Sequence, residues 1–156
     1  MPIIRFLLKI YTGGLRLFHK FVPVLDLGIR LWLFKAFFFS GLLKTKDWHS
    51  TVFLFENEYH VPIIPAEIAA ILGTSFELVL PCLLLLGLCS RVNACLLFLF
   101  NIAIVGCYPY LWTPDGLNGL YQHITWGLLI AVVMVYGPSQ LSLDYLIKKK
   151  FSGYEY

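Results

Sequence analysis

The stretch Ile71–Leu88, ILGTSFELVLPCLLLLGL, decides the fold. It is almost wholly apolar, and with the preceding AEIAA it is long enough to cross a hydrocarbon core of roughly 30 Å as a helix. Yet it carries a carboxylate at Glu77 and a proline four residues later at Pro81. An ionisable group in such a run is costly and marks a functional-site hypothesis. Pro81 has no N–H, so a helix running through it leaves the carbonyl of Glu77 without its normal donor. A carboxylate and a free carbonyl at one residue form a polar notch, which a neighbouring helix or a ligand must fill.

Three further runs have the same character: Val24–Leu43, Ala94–Leu111 and Leu120–Gly137. Hydrophobic residues make up 59% of the 156 and charged residues 13%, against about 25% charged in soluble domains. Lipid offers no partner to free backbone groups, so such runs must be helices. The expected fold is an all-α membrane protein, a four-transmembrane-helix bundle. The link CSRVN (89–93) is short enough for a tight antiparallel hairpin. Links 44–65 and 112–119 fall at the opposite end. In the longer one, Trp48, Phe53, Phe55 and Tyr59 are expected at headgroup depth as an aromatic belt. Part of that link is expected to form a short outer roof helix, and Pro65 pre-sets the first turn of the second span.

Residues 1–22 differ from the rest. Arg5, Lys9, Arg16 and Lys20 fall in about a 60° sector of a helix, with Ile3, Phe6, Leu7, Ile10, Leu17, Phe18 and Phe21 spread over the other side. This predicts an N-terminal interfacial amphipathic helix, with a break at Gly13-Gly14 allowed for. No small-x-small cleavage pattern follows it, so no cleavable signal is expected. The organisation is then an amphipathic helix at 1–22, a transmembrane domain at 23–147 and a basic tail at 148–156.

The net charge of +3 gives no case for nucleic acid. The placement of charge is more informative. Arg5, Lys9, Arg16, Lys20, Arg91 and Lys148–Lys150 fall on one side of the spans, and only Lys44 and Lys46 on the other. The positive-inside rule puts both termini in the cytoplasm. Cys82, Cys89, Cys95 and Cys107 show no C-x-x-C spacing and read as small hydrophobes. Glu56 and His60, with Glu58 and His49 nearby, make no compact ligand set, so no metal site is expected. Only His123 lies in a span, which disfavours haem, and no phosphate-binding glycine motif suggests flavin.

Depth follows from a rise of 1.5 Å per residue. Glu77 lies about 16 Å from the outer end, Lys35 about 13 Å and Arg30 about 21 Å. Arg30 is the favoured partner of Glu77. It shares a face with Phe34, Phe37, Gly41 and Lys44, and Gly41 permits close helix approach. Asp26 can also pair with Arg30 across one turn. Arg30 and Glu77 are either a structural ion pair or a ligand or proton site. Lys35 is expected to snorkel or to bond inside the bundle. Glu67 complements the dipole of the second span, and Asn101 is interhelical glue. His123, one turn from Trp126 and Gly127, suits proton exchange with a quinol.

The segments RLWLFKAFFFSGLLK (30–44), TVFLFENEYHVPIIPAEIAAILGTSFELVLPCLLLLGLCSR (51–91), Tyr108-Pro109, QHITWG (122–127) and GPSQLSLDYL (137–146) together resemble the DoxX family. The resemblance covers roughly residues 28–146. It implies a four-helix inner-membrane protein, in a family whose name comes from a subunit associated with a terminal quinol oxidase and with thiosulfate:quinone oxidoreductase. This branch also occurs beside systems making metal-stress peptides. The family's polar core maps to Arg30, Glu77 and His123, with Lys44, Glu67 and Arg91 at helix ends.

The expected function is a quinone-linked redox subunit of a bacterial inner membrane. Glu77 and His123 would handle protons, and Arg30, Trp126 and Tyr108 would line the site. Ubiquinone or menaquinone would be the ligand. Electrons would come from a redox protein partner, and a homo-oligomer is allowed for. The alternative is a non-enzymatic membrane scaffold anchoring a stress-response or biosynthetic complex.

Overall fold

The computed structural model describes residues 2–152. The side chains of Arg5, Lys9 and Arg16 are outside the described set, and so is the shared basic face expected of them. Among the described residues the chain is all-helical. Helix α1 spans Pro2–Lys46, α2 Trp48–Asn57, α3 Ala66–Leu86, α4 Ser90–Cys107, α5 Leu117–Tyr136 and α6 Leu143–Ser152. Two 3-10 turns, Pro109–Trp112 and Pro114–Gly116, join α4 to α5.

Among the described residues, three helices are long and apolar enough to cross a membrane: α3, α4 and the segment ending in α5, Pro114–Tyr136. They carry their apolar side chains outward as well as inward. Val79, Leu99 and Leu128 are more than half exposed, which in water would be an aggregation hazard and in lipid is the solvated face. This is an integral membrane protein. Helix α1 packs chiefly on α3, α3 on α4, α4 on α5, and α5 returns to α1. The core between them is Leu33, Phe37, Leu80, Leu84, Leu97, Ile130 and Val133.

Residues 2–22 are the first part of α1 rather than a separate helix. The backbone stays helical through Gly13-Gly14 and through Pro23. A proline costs a helix one hydrogen bond and a local clash, and flanking turns hold it when they pack well. At 45 residues, α1 is about 67 Å long, so it runs well beyond the helices it packs against.

The roof is present as α2. Asp47 starts it by accepting from the Ser50 N–H at 3.1 Å and from the Ser50 hydroxyl at 2.6 Å, which satisfies an otherwise orphaned donor of the first turn. These bonds hold its carboxyl below the usual carboxylate range, first through the Ser50 hydroxyl and then through the Ser50 N–H. The aromatic belt is only half realised. Trp48 and Phe53 are exposed, but Phe55 is buried and stacks on Tyr59, one turn later, at 4.7 Å. Phe55 packs with Ala69 and Ala70 of α3, because the small alanines leave room for a ring. The far hairpin closes at Gly87 (φ +66), the left-handed residue that ends α3.

Candidate functional site

Helices α1 and α3 approach most closely at Gly41. A Cβ added there would lie 2.9 Å from the Glu77 Cβ, so only glycine fits. With this register, the carboxylate of Glu77 faces the last turns of α1. Lys44 reaches it and donates to Oε1 at 2.7 Å and Oε2 at 2.6 Å. Its third proton goes to Ser40 Oγ at 3.1 Å, and the Ser40 hydroxyl in turn donates to Glu77 Oε1 at 3.3 Å. An ammonium has three donors, and all three are used. Glu77 is 5% exposed, so this is a buried ion pair with its hydrogen bonds completed inside the protein.

The expected Arg30–Glu77 pair does not form. Arg30 lies eleven residues before Gly41 on α1, about 16 Å further along the helix, and no side chain bridges that. Arg30 instead plugs the other end of the bundle. It is 1% exposed. Its Nη2 donates to Asp26 Oδ2 at 2.6 Å, to the carbonyl of Leu141 at 2.8 Å and to Ser139 Oγ at 3.2 Å. Nη1 reaches the Leu85 carbonyl at 3.3 Å, and the Ser139 hydroxyl donates to Asp26. One guanidinium thus ties α1 to the end of α3 and to the α5–α6 connection. Lys35 pairs with neither cluster's acid and is exposed on α1.

The neighbouring helix bonds beside Pro81 but not at the expected notch, the Glu77 carbonyl. The buried amide of Asn93 on α4 donates to the Leu80 carbonyl at 2.8 Å, one residue before the proline rather than at Glu77.

A cavity of about 180 Å³ lies above Glu77. Glu77 and Lys44 form its polar floor, and Phe55, Tyr59, Gly73, Phe100 and Ile104 are among its apolar walls. Leu72, Phe76 and Ala103, which also line it, are exposed on the outer surface of α3 and α4. Phe76 and Phe100 meet edge to face across these helices at 5.5 Å. The cavity therefore opens sideways, toward lipid. Tyr59 closes its roof and stacks on Tyr108 at 4.6 Å. The Tyr59 hydroxyl has no hydrogen-bond partner among the described residues, and burial pushes its pKa well above the ordinary value. Tyr108 stands behind Tyr59 rather than on the cavity wall. Its hydroxyl donates to Glu58 Oε2 at 2.9 Å. Burial, and then this bond to a carboxylate, push it up to about 12.

His123 is not on this cavity. The Asn101 amide nitrogen donates to the His123 carbonyl at 3.0 Å, while the Asn101 oxygen lies 2.8 Å from His123 Nδ1. With the amide so oriented, Nδ1 carries the proton and Nε2 keeps a lone pair. His123 and Asn101 line a separate groove between α4 and α5, with Gly127 in its wall. Trp126 sits between the two regions, 4.8 Å from the His123 ring and 5.3 Å from Phe37. Glu67 and Arg91 are exposed at the first turns of α3 and α4.

The residues that sequence reasoning missed are Ser40, Tyr59 and Lys44 as the direct partner of Glu77. One signal was available. Gly41 was already placed at the close approach, and Lys44 shares its face one turn on, within reach of whatever Gly41 admits.

The model of one known family matches residues 25–108, more than half of the chain. The chain belongs to the DoxX family. The match includes α2, α3, α4 and every residue of the Lys44–Glu77 cluster. It stops short of α5, so it does not reach His123 or the 137–146 segment. Comparisons with curated proteins and with solved structures return no match.

Proposed function

We propose that this DoxX-family protein is a quinone-linked subunit of a bacterial inner-membrane redox system. In this reading α1 is a fourth crossing helix and both termini are cytoplasmic. A helix with Asp26, Arg30, Lys35 and Lys44 can lie in a bilayer when its charges pair or snorkel; Asp26, Arg30 and Lys44 pair, and the exposed Lys35 is left to snorkel. The excess of Lys and Arg at the hairpin end supports the orientation.

The observation that carries the proposal is the Lys44–Glu77 pair at the floor of an apolar cavity that opens toward lipid. Its volume, about 180 Å³, is below the roughly 300–1,000 Å³ of sites that enclose a drug-sized molecule. It suits a single ring whose isoprenoid tail leaves over the exposed Leu72 and Ala103. The chemistry favours the reduced ring. Lys44 has no proton left to give, whereas the Glu77 carboxylate keeps acceptor lone pairs for a quinol hydroxyl. The Tyr59 hydroxyl can bond the second ring oxygen. Oxidation of the quinol releases two protons and two electrons. Glu77 would accept one proton, the other would pass by way of the Tyr59 hydroxyl to water at the roof end, and both electrons would leave to a redox centre on a partner protein. Lys44 orients the Glu77 carboxylate for this step through its two hydrogen bonds.

Purified protein should retain ubiquinone or menaquinone on organic extraction. Short-chain quinol analogues should raise its thermal stability, and Glu77→Gln should abolish that rise. If extraction recovers no quinone and no analogue shifts the melting temperature, the proposal fails. A non-enzymatic membrane scaffold then becomes the better account, with the ion pair serving only to lock α1 to α3.

A further inference from the structure

At the hairpin end of the bundle lies a second and larger cavity, of about 660 Å³. It is bounded by α1 near His19, by the start of α4, by the α5–α6 connection and by α6. Three basic side chains line it: His19, Arg91 and Lys148. The one acid in the lining, Asp144, is already committed. Its carboxylate accepts from the Cys89 N–H at 2.8 Å, the Ser90 N–H at 2.7 Å and the Ser90 hydroxyl at 2.8 Å. Arg91 has no hydrogen-bond or ion-pair partner among the described residues. Its guanidinium lies across Gly137. A Cβ there would come within 2.5 Å of Arg91 Nε, and Gly137 has φ +76, so the position suits glycine on both counts. A guanidinium without an anion, beside a lysine and a histidine at one cavity, offers its charge and donors to an anionic ligand.

The depth of the site identifies the ligand class. Helix α6 presents Leu143, Leu146, Ile147 and Phe151 as an exposed apolar stripe, while Asp144, Tyr145 and Lys148 line the cavity. A helix with this division lies in the plane of the membrane interface. The cavity therefore opens at headgroup level, with Tyr136 and Tyr145 in its walls. We propose that it binds a phosphate-bearing anion, held by Arg91 and Lys148, and that an anionic phospholipid headgroup in the adjoining leaflet supplies it. Basic recesses between membrane helices commonly hold such headgroups. This proposal is independent of the quinone site.

The test uses full-length protein in neutral detergent, titrated with phosphatidylglycerol, phosphatidylcholine or inorganic phosphate, with thermal unfolding as the readout. Phosphatidylglycerol should stabilise wild type and phosphatidylcholine should not. Arg91→Gln and Lys148→Gln should each weaken the apparent affinity roughly five-fold, as expected for one interfacial charge. A Lys149→Gln, Lys150→Gln double variant has the same total charge loss as the two combined but removes no lining residue, and it should keep the wild-type affinity. Stabilisation by inorganic phosphate at equal concentration, lost in the same two variants, would keep the site and make its ligand a soluble phosphate. The proposal is overturned if both lipids act alike on wild type, or if the Lys149/Lys150 variant loses as much as the Arg91 and Lys148 variants.

Discussion

Arg30 and Lys44 occupy one face of α1, about four turns apart; each pairs with an acid and each bonds to α3. Around Arg30 the acid is local, Asp26 on the same helix, and the remaining bonds go to carbonyls at the end of α3 and in the α5–α6 connection. Ser139, which bonds to both Asp26 and Arg30, lies in the wall of the hairpin-end cavity, but the guanidinium itself is buried and closes the bundle like a bolt. Around Lys44 the acid comes from another helix, and one side of the pair faces an apolar chamber. Burial of charge is common to both clusters. What separates them is where the spare hydrogen-bonding capacity points. At Glu77 it faces an apolar chamber, whereas the Nε of Arg30, unpartnered among the described residues, is sealed inside the protein. A buried ion in a membrane protein is thus a site only when its unspent valence is open to a ligand.

The largest expected effect is at Arg30. Arg30→Ala leaves Asp26 and several carbonyls without their donor, and removing one member of a buried pair costs about 3–5 kcal/mol. We expect a large fall in melting temperature in detergent, with quinol affinity per folded molecule unchanged. A loss of affinity at preserved stability would erase the contrast between the clusters.

At the second cluster, Lys44→Met and Glu77→Leu should each cost about 3 kcal/mol, and the double variant less than either, because hydrophobic replacement of a whole buried pair is close to neutral. Thermal unfolding of the three variants completes the cycle. If the losses simply add, the two side chains are not coupled and the register at Gly41 is wrong.

Gly87→Ala comes next. Its φ of +66 disfavours any side chain, and a Cβ would sit 2.5 Å from Arg30 Nη1. We expect a loss of about 1–3 kcal/mol, measured in the same way, and a smaller one when Arg30 is already Ala.

The smallest effect concerns Asp144. Partial burial alone would raise its pKa, but the Ser90 N–H, the Ser90 hydroxyl, the Cys89 N–H and Lys148 together lower it below 3.8. A depressed carboxylate contributes stability that is complete above its unfolded pKa and is lost as pH falls through the folded one. Wild type should therefore lose a small increment of stability below about pH 4 that Asp144→Asn lacks, seen by comparing the two melting profiles with pH.

Much of this was legible from the chain alone. Apolar runs with no partner for their backbone had to be helices, so the positions of α3, α4 and α5 follow from hydropathy, and CSRVN dictated a hairpin. Gly41 announced a close helix contact, and Asp26 and Arg30, one turn apart, announced their own bond. Glu77 stood out because charge in hydrocarbon requires a reason.

What sequence could not supply was the axial register of α1 against α3. Counting depth from the ends of apolar runs set Arg30 near Glu77, whereas the structure sets Gly41 there, eleven residues further along α1, and so gives the partnership to Lys44. Hydropathy is nearly uniform along such a helix, so it does not resolve that register. Close packing does, because Gly41 meets Glu77 at only one alignment. The inward turn of Phe55 and Tyr59, the commitment of Asp144 to the start of α4 and the separation of His123 from Glu77 likewise depend on which surfaces come together. Composition and periodicity fix what each segment can be; the fit of one helix against the next decides which side chains meet.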